Sequence, residues 1–103
     1  MDPGDNERAE AILAAAERVA AVVGDGEEEL QRSPARQHEL IELLQLIGAA
    51  AAAMGEEGRG NRPDVDWAAA AQLAEPVAGD TGRLWQRASV EVPDLAREIA
   101  TQA

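Results

Sequence analysis

SPARQHELIELLQLIGAAAAAM, residues 33–54, holds the densest set of large aliphatic side chains in the chain. Ser33 supplies a capping hydroxyl, and Pro34 suits a first helical position because its missing N–H is not needed there. The pair predicts a helix that starts at this point and runs to about Met54. Leu40, Ile41, Leu43, Leu44, Leu46 and Ile47 cover more than half of its circumference, so it is expected to be packed on several sides and to form the centre of the fold. Gly48 costs about 1 kcal/mol against alanine inside a helix. Close approach of a neighbouring helix is the benefit that would offset this, and the Ala49–Ala53 run permits the same.

Upstream, Ile12, Ala15, Ala16, Val19, Val22 and Val23 recur at three- and four-residue spacing and define one face of a first helix. Asp5 or Asn6 is the expected N-cap, with Glu7 in the first turn. Gly24-Asp25-Gly26 ends that helix, since glycine accepts the left-handed conformation that follows a C-terminus. Glu27–Arg32 has room for one or two helical turns.

Downstream, GEEGRGNRP (55–63) reads as a loop rich in glycine and charge. Asp64 or Asp66 caps a third long segment carrying Val65, Trp67, Ala70, Ala71 and Leu73. Pro76 would disrupt a helix interior by about 3 kcal/mol, so this helix is expected to end near Ala74, with Pro76 and Gly79 forming a break. Asp80 or Thr81 caps a fourth helix with Leu84, Trp85 and Ala88 inward. A last helix, from about Pro93 to Thr101, opens on its proline and buries Val92, Leu95, Ala96 and Ile99. No stretch alternates as a strand does. The expectation is one all-α domain over residues 1–103.

The 103 residues include 23 alanines, no Lys, Cys, Phe or Tyr, and nine arginines against twenty acids, for a net charge of −11. Each well-buried Leu or Ile contributes roughly 1.5–3 kcal/mol, and few such residues are present, so a marginal monomer that gains stability by dimerising is expected. Nucleic-acid binding draws its affinity from cations on phosphates, and this charge balance opposes RNA. It suits a solubilising surface or a basic protein partner. The absence of cysteine excludes disulfides and thiolate metal sites. The start, MDPGDNERAE, lacks the apolar region of a signal peptide, and no apolar run is long enough to span a bilayer. A cytoplasmic protein is the expectation.

Little in the sequence suggests catalysis. His38 is the sole histidine and lies beside Arg36. A group titrating near neutrality is what general acid–base chemistry prefers, so Arg36 and His38 are the weak catalytic candidates. Neither a second histidine nor a cysteine or tyrosine accompanies them, and a solvent-facing or dimer-contact histidine accounts for His38 as well. Glu27–Glu29 and Glu56-Glu57 lack the spacing of a calcium loop and read as solvated charge, so no metal or cofactor is expected. Trp67 and Trp85 read as core anchors rather than as stacking platforms.

The order of these landmarks resembles the HepT-like HEPN-domain family. In that family a helix ending in Leu-x-x-Ile-Gly-x-Ala-Ala leads through a loop to Pro-x-(Ile/Val)-x-Trp, matched here by Leu44, Ile47, Gly48, Ala50, Ala51, Pro63, Val65 and Trp67. LWQRASVEVPDLAREI (84–99) is similar to the closing segment, with Trp85 eight residues before Pro93. The resemblance implies a HEPN-like antiparallel bundle of four to five helices that forms homodimers. It also implies the toxin half of a toxin–antitoxin pair, with a minimal nucleotidyltransferase as partner. Family members cleave RNA through an Arg-x4-His-x-Tyr motif lying between the two tryptophan landmarks, and the partner modifies its tyrosine with AMP.

At that place this chain departs from the pattern. Between Trp67 and Trp85 there is no Arg before Arg83, no His and no Tyr, and the interval is several residues shorter. Ala74-Glu75-Pro76-Val77 stands where the motif's arginine should begin. Without His and Arg, neither a neutral-pH base nor a stabiliser of phosphate charge is present. The reading that follows is a catalytically degenerate HepT-like protein acting by dimerisation and by binding a nucleotidyltransferase-like partner. The alternatives are an active ribonuclease using the displaced Arg36 and His38, and a stand-alone helical adaptor.

Overall fold

A computed structural model of the chain describes residues 4–76 and 80–102. Val77–Gly79, which include the Gly79 of the expected break, lie outside the described residues. Helix accounts for 84% of what is described and no strand is present among these residues, so the fold class is all-α. The helices are α1 (Gly4–Val23), α2 (Glu27–Arg32), α3 (Pro34–Ala52), α4 (Glu56–Asn61), α5 (Trp67–Ala71), α6 (Thr81–Gln86) and α7 (Val92–Gln102).

The centre is as expected. α3 packs against α1, α2, α5 and α6, and its Leu40, Leu44, Ile47 and Ala51 meet Ile12, Ala15, Val19 and Val22 of α1 in one continuous core. Asp5, at the start of α1, lies against Gly55 just past the end of α3, while Arg18 pairs with Glu39 near its beginning. The two long helices are therefore antiparallel. Gly26, with φ +96°, makes the turn that only glycine makes cheaply. Ser33 caps α3 by accepting from the Arg36 amide at 3.2 Å. One expectation fails on α3: Ile41 and Leu46 stay 36% and 47% exposed, so its outer face is not covered within the monomer.

Gly48 has the role anticipated for it. A Cβ placed there would stand 2.5 Å from the Ala74 Cβ, 2.6 Å from the Ala74 amide nitrogen and 2.9 Å from the Ala71 carbonyl oxygen. Two of these three are backbone atoms, so the α5 segment could not pack so closely against a side chain at this position. α5 continues through a 3-10 turn over Gln72–Ala74 and stops at Glu75, whose extended backbone is what a residue preceding proline requires. The helix end near Ala74 is as the sequence predicts.

Three boundaries differ from the expectations. Residues 56–61 form α4 instead of a loop. Asp5 does not cap its own helix, which starts at Gly4. Its carboxylate accepts instead from the amides of Gly55 at 2.9 Å and Gly58 at 2.7 Å, satisfying donors at the start of α4. Gly58 is needed for this, because a Cβ there would fall 2.4 Å from the Asp5 Cβ. Finally, α6 and α7 do not separate. A π turn over Arg87–Glu91 joins them, and Pro93 falls inside a helix rather than opening one. Proline lacks the N–H of the ordinary i→i−4 bond and its ring crowds that carbonyl; the wider π turn immediately before it accommodates both defects. The expected four to five helices thus become an array with two additional short helices and a merged final pair.

Candidate functional site

Arg36 and His38 do not form a catalytic pair. Arg36 leans toward α2, where its guanidinium nitrogens meet Asp25 at 2.8 Å and Glu29 at 3.2 Å. Beside it, Gln37 donates to the carbonyls of Leu30 and Gln31, so the two residues fasten α2 to the start of α3. His38 is 74% exposed, and its Nε2 lies 3.0 Å from Glu42 one helical turn on. The contacts of Arg36 and His38 are those of a helix junction and a solvated helix face.

The segment that decides the chemistry runs from Trp67 to Trp85. Trp67 is 7% exposed in the core, and Trp85 is half-buried against it. Asp66 caps α5 through the Ala69 amide at 3.0 Å, and Asp80 caps α6 through the Arg83 amide at 3.0 Å. Between these caps, Ala74 lies against Gly48. Arg87, buried to 7% exposure, reaches back from the π turn, and its Nη1 donates to the Glu75 carbonyl oxygen at 2.7 Å. An arginine that composition would assign to the surface thus ties the end of the α5 segment to the last helix. Arg62 is also buried, with no hydrogen-bond partner for its Nε among the described residues.

A groove opens between α5 and α7, with Ala69, Ala70 and Leu73 on one wall and Leu95 on the other, and a volume of about 210 Å³. Ala70, Leu73 and Leu95 are core residues that show only a narrow edge to it. Its rim is acidic: Asp66 at the start of α5, Glu91 at the end of the π turn, and Asp94 and Glu98 on α7. Asp94 pairs with Arg97. Glu91 and Glu98 are exposed and make no ion pair among the described residues. Glu91, Asp94, Leu95 and Glu98 fall at positions i, i+3, i+4 and i+7, the spacing of one helix face. Sequence reading found α7's inner face but not this rim, because it depends on two segments some 25 residues apart coming together.

No group of three or more His, Cys, Asp or Glu side chains is arranged to hold a metal among the described residues, and no helix is long and apolar enough to cross a membrane. Two carboxylates among the described residues, Asp5 and Glu39, have clearly shifted titration. Asp5 is held below the ordinary carboxylate range, chiefly by the Gly55 amide and further by the Gly58 amide and the Arg8 guanidinium, against an opposing loss of hydration. The Arg18 guanidinium lowers Glu39 in the same sense, and is itself raised by that hydrogen bond. Comparison with models of protein families, with curated proteins and with solved structures finds no match to this chain.

Proposed function

We propose that this chain is a HepT-like HEPN protein that has lost its nuclease chemistry and acts by pairing with itself and with a nucleotidyltransferase-like partner of a toxin–antitoxin type system. One observation carries the reading. Where the resemblance places Arg-x4-His-x-Tyr, the chain has Ala74 packed on Gly48 and Glu75 bonded through its carbonyl to buried Arg87. The groups that would handle phosphate are replaced by groups that hold helices together. Several landmarks that carry the resemblance are core residues: Leu44, Ile47, Ala51, Val65 and Trp67 are buried, while Ala50 and Trp85 are partly exposed and Pro63 and Pro93 exposed. A scaffold of this kind can present surfaces without performing a reaction. The uncovered Ile41 and Leu46 on α3 are in keeping with a second copy or partner packing there.

RNA as a substrate finds little support. Rim carboxylates and a net charge of −11 repel a polyanion, and Arg36 is already engaged by two acids. The test is co-expression with a minimal nucleotidyltransferase, together with an RNA cleavage assay on the purified chain. Stable co-purification without cleavage is the expected result. Cleavage above a buffer control that disappears in His38→Ala would overturn the proposal in favour of an active ribonuclease.

A further inference from the structure

The groove between α5 and α7 has an apolar floor, an acidic rim and no occupant from the described residues. We infer that it takes a basic amphipathic helix of a protein partner, with a small aliphatic side chain over exposed Ala69 and the edges of Leu73 and Leu95 and arginine or lysine heads on the rim. This rests on the reading of the chain as a partner-binding protein and names the chemistry of the partner.

Size, arrangement and charge favour this occupant. A volume of about 210 Å³ is below the roughly 300–1,000 Å³ of small-molecule sites, but it admits one or two side chains projecting from a docked backbone. Glu91, at the end of the π turn, and Asp94 and Glu98 on α7 follow one another over about 10 Å, a row that matches basic residues at i, i+3 or i+4, and i+7 of a second helix. A metal would leave the apolar floor unused, and the carboxylates lie in a line instead of converging. Glu91 and Glu98 have no cation of this chain beside them among the described residues, so a partner's cations would gain two free carboxylates. Long basic side chains are suited to such a site, since their methylene stems cover apolar surface while their heads stay at the rim.

The probe is a synthetic helical peptide of about four turns, with arginine at i, i+4 and i+7 and leucine and alanine between them. It is titrated into the full chain by fluorescence anisotropy. The triple variant Glu91→Gln/Asp94→Asn/Glu98→Gln, which leaves the Asp66 cap and the floor intact, is expected to bind at least about tenfold more weakly. A control variant, Glu10→Gln/Glu17→Gln/Glu57→Gln, makes the same change in net charge at exposed sites elsewhere and should bind within about twofold of the parent. Amide shift changes should fall in residues 66–73 and 91–98. Equal weakening in both variants, unchanged binding in the groove variant, no binding by the parent chain, or shifts confined to other surfaces would each overturn the inference. Should the triple variant lose its helical circular dichroism, Glu98→Gln alone carries the comparison, with a loss of about threefold expected. The peptide assay does not involve the nucleotidyltransferase. Discrimination by the groove without that partner's binding removes the family reading alone, and the reverse removes the groove alone.

Discussion

The α1–α3 pair and the segment from α4 to α7 are stabilised in different ways. The two long helices run 20 and 19 residues and bury continuous aliphatic faces against each other. α4, α5 and α6 are five or six residues each, too short to persist on helix propensity alone. Specific polar contacts fix their ends: Asp5 on the start of α4 and Arg87 on the end of the α5 segment reach across the fold, while Asp66 and Asp80 cap their own helices. Burial maintains the first region; the second shares in the same core through Trp67, Leu73, Leu84 and Ile99, and hydrogen bonds in addition fix the ends of its short helices. Burial is tolerant in detail and costly to remove. Individual hydrogen bonds contribute less, and their loss is felt locally.

Mutations can break or sharpen that contrast. Ile47→Ala, in the fully buried seam, should destabilise the whole chain by about 2–5 kcal/mol, with a single cooperative shift in chemical denaturation. Gly48→Ala should cost about 1–3 kcal/mol despite the better helix propensity of alanine, because the new methyl meets α5 backbone. Hydrogen exchange should locate the damage at residues 67–74. Arg87→Met removes a charge-assisted bond and should cost about 1.5–3 kcal/mol, freeing the Glu75 carbonyl. Near-uniform loss of exchange protection across α1 and α3 in this variant would erase the distinction between the regions. Asp66→Ala should cost about 0.5–2 kcal/mol, with faster exchange confined to α5.

The smallest effect is set by pH. The depressed Asp5 and Glu39 carboxyls contribute stability that is fully present above the ordinary carboxylate value near 4. That contribution drains away as pH falls through their lowered folded-state values. Asp5→Asn should flatten the acid limb of a stability profile followed by circular dichroism, and exchange at Gly55 and Gly58 should rise first. An unchanged acid limb in that variant would show that the Asp5 contact does not contribute.

Much of the first region could be read from the sequence, though not the Asp5 contact with α4 or the uncovered Ile41 and Leu46. Helical periodicity, the Ser33-Pro34 start, the Gly26 turn and the purpose of Gly48 are local signals or one step removed from them. In the second region the caps at Asp66 and Asp80 and the stop before Pro76 were also legible. α4 was not, because GEEGRGN has the composition of a loop and its helix is capped from fifty residues away. Pro93 looked like a helix start because the π turn that absorbs it leaves no compositional mark. Burial of Arg62 and Arg87 and the acidic groove depend on which segments meet, and a linear pattern does not carry that.

The Asp5 contact also bears on the order of folding. Its partners Gly55 and Gly58 lie 50 and 53 residues along the chain, so closing it carries the loop entropy of half the molecule. That cost falls only after α1 and α3 have docked and brought the two ends together. α4 therefore has no cap to form on until the central pair is assembled, and it should acquire protection last in pulse-labelled refolding. A residue at the very start of the described chain would thereby report the completion of its middle.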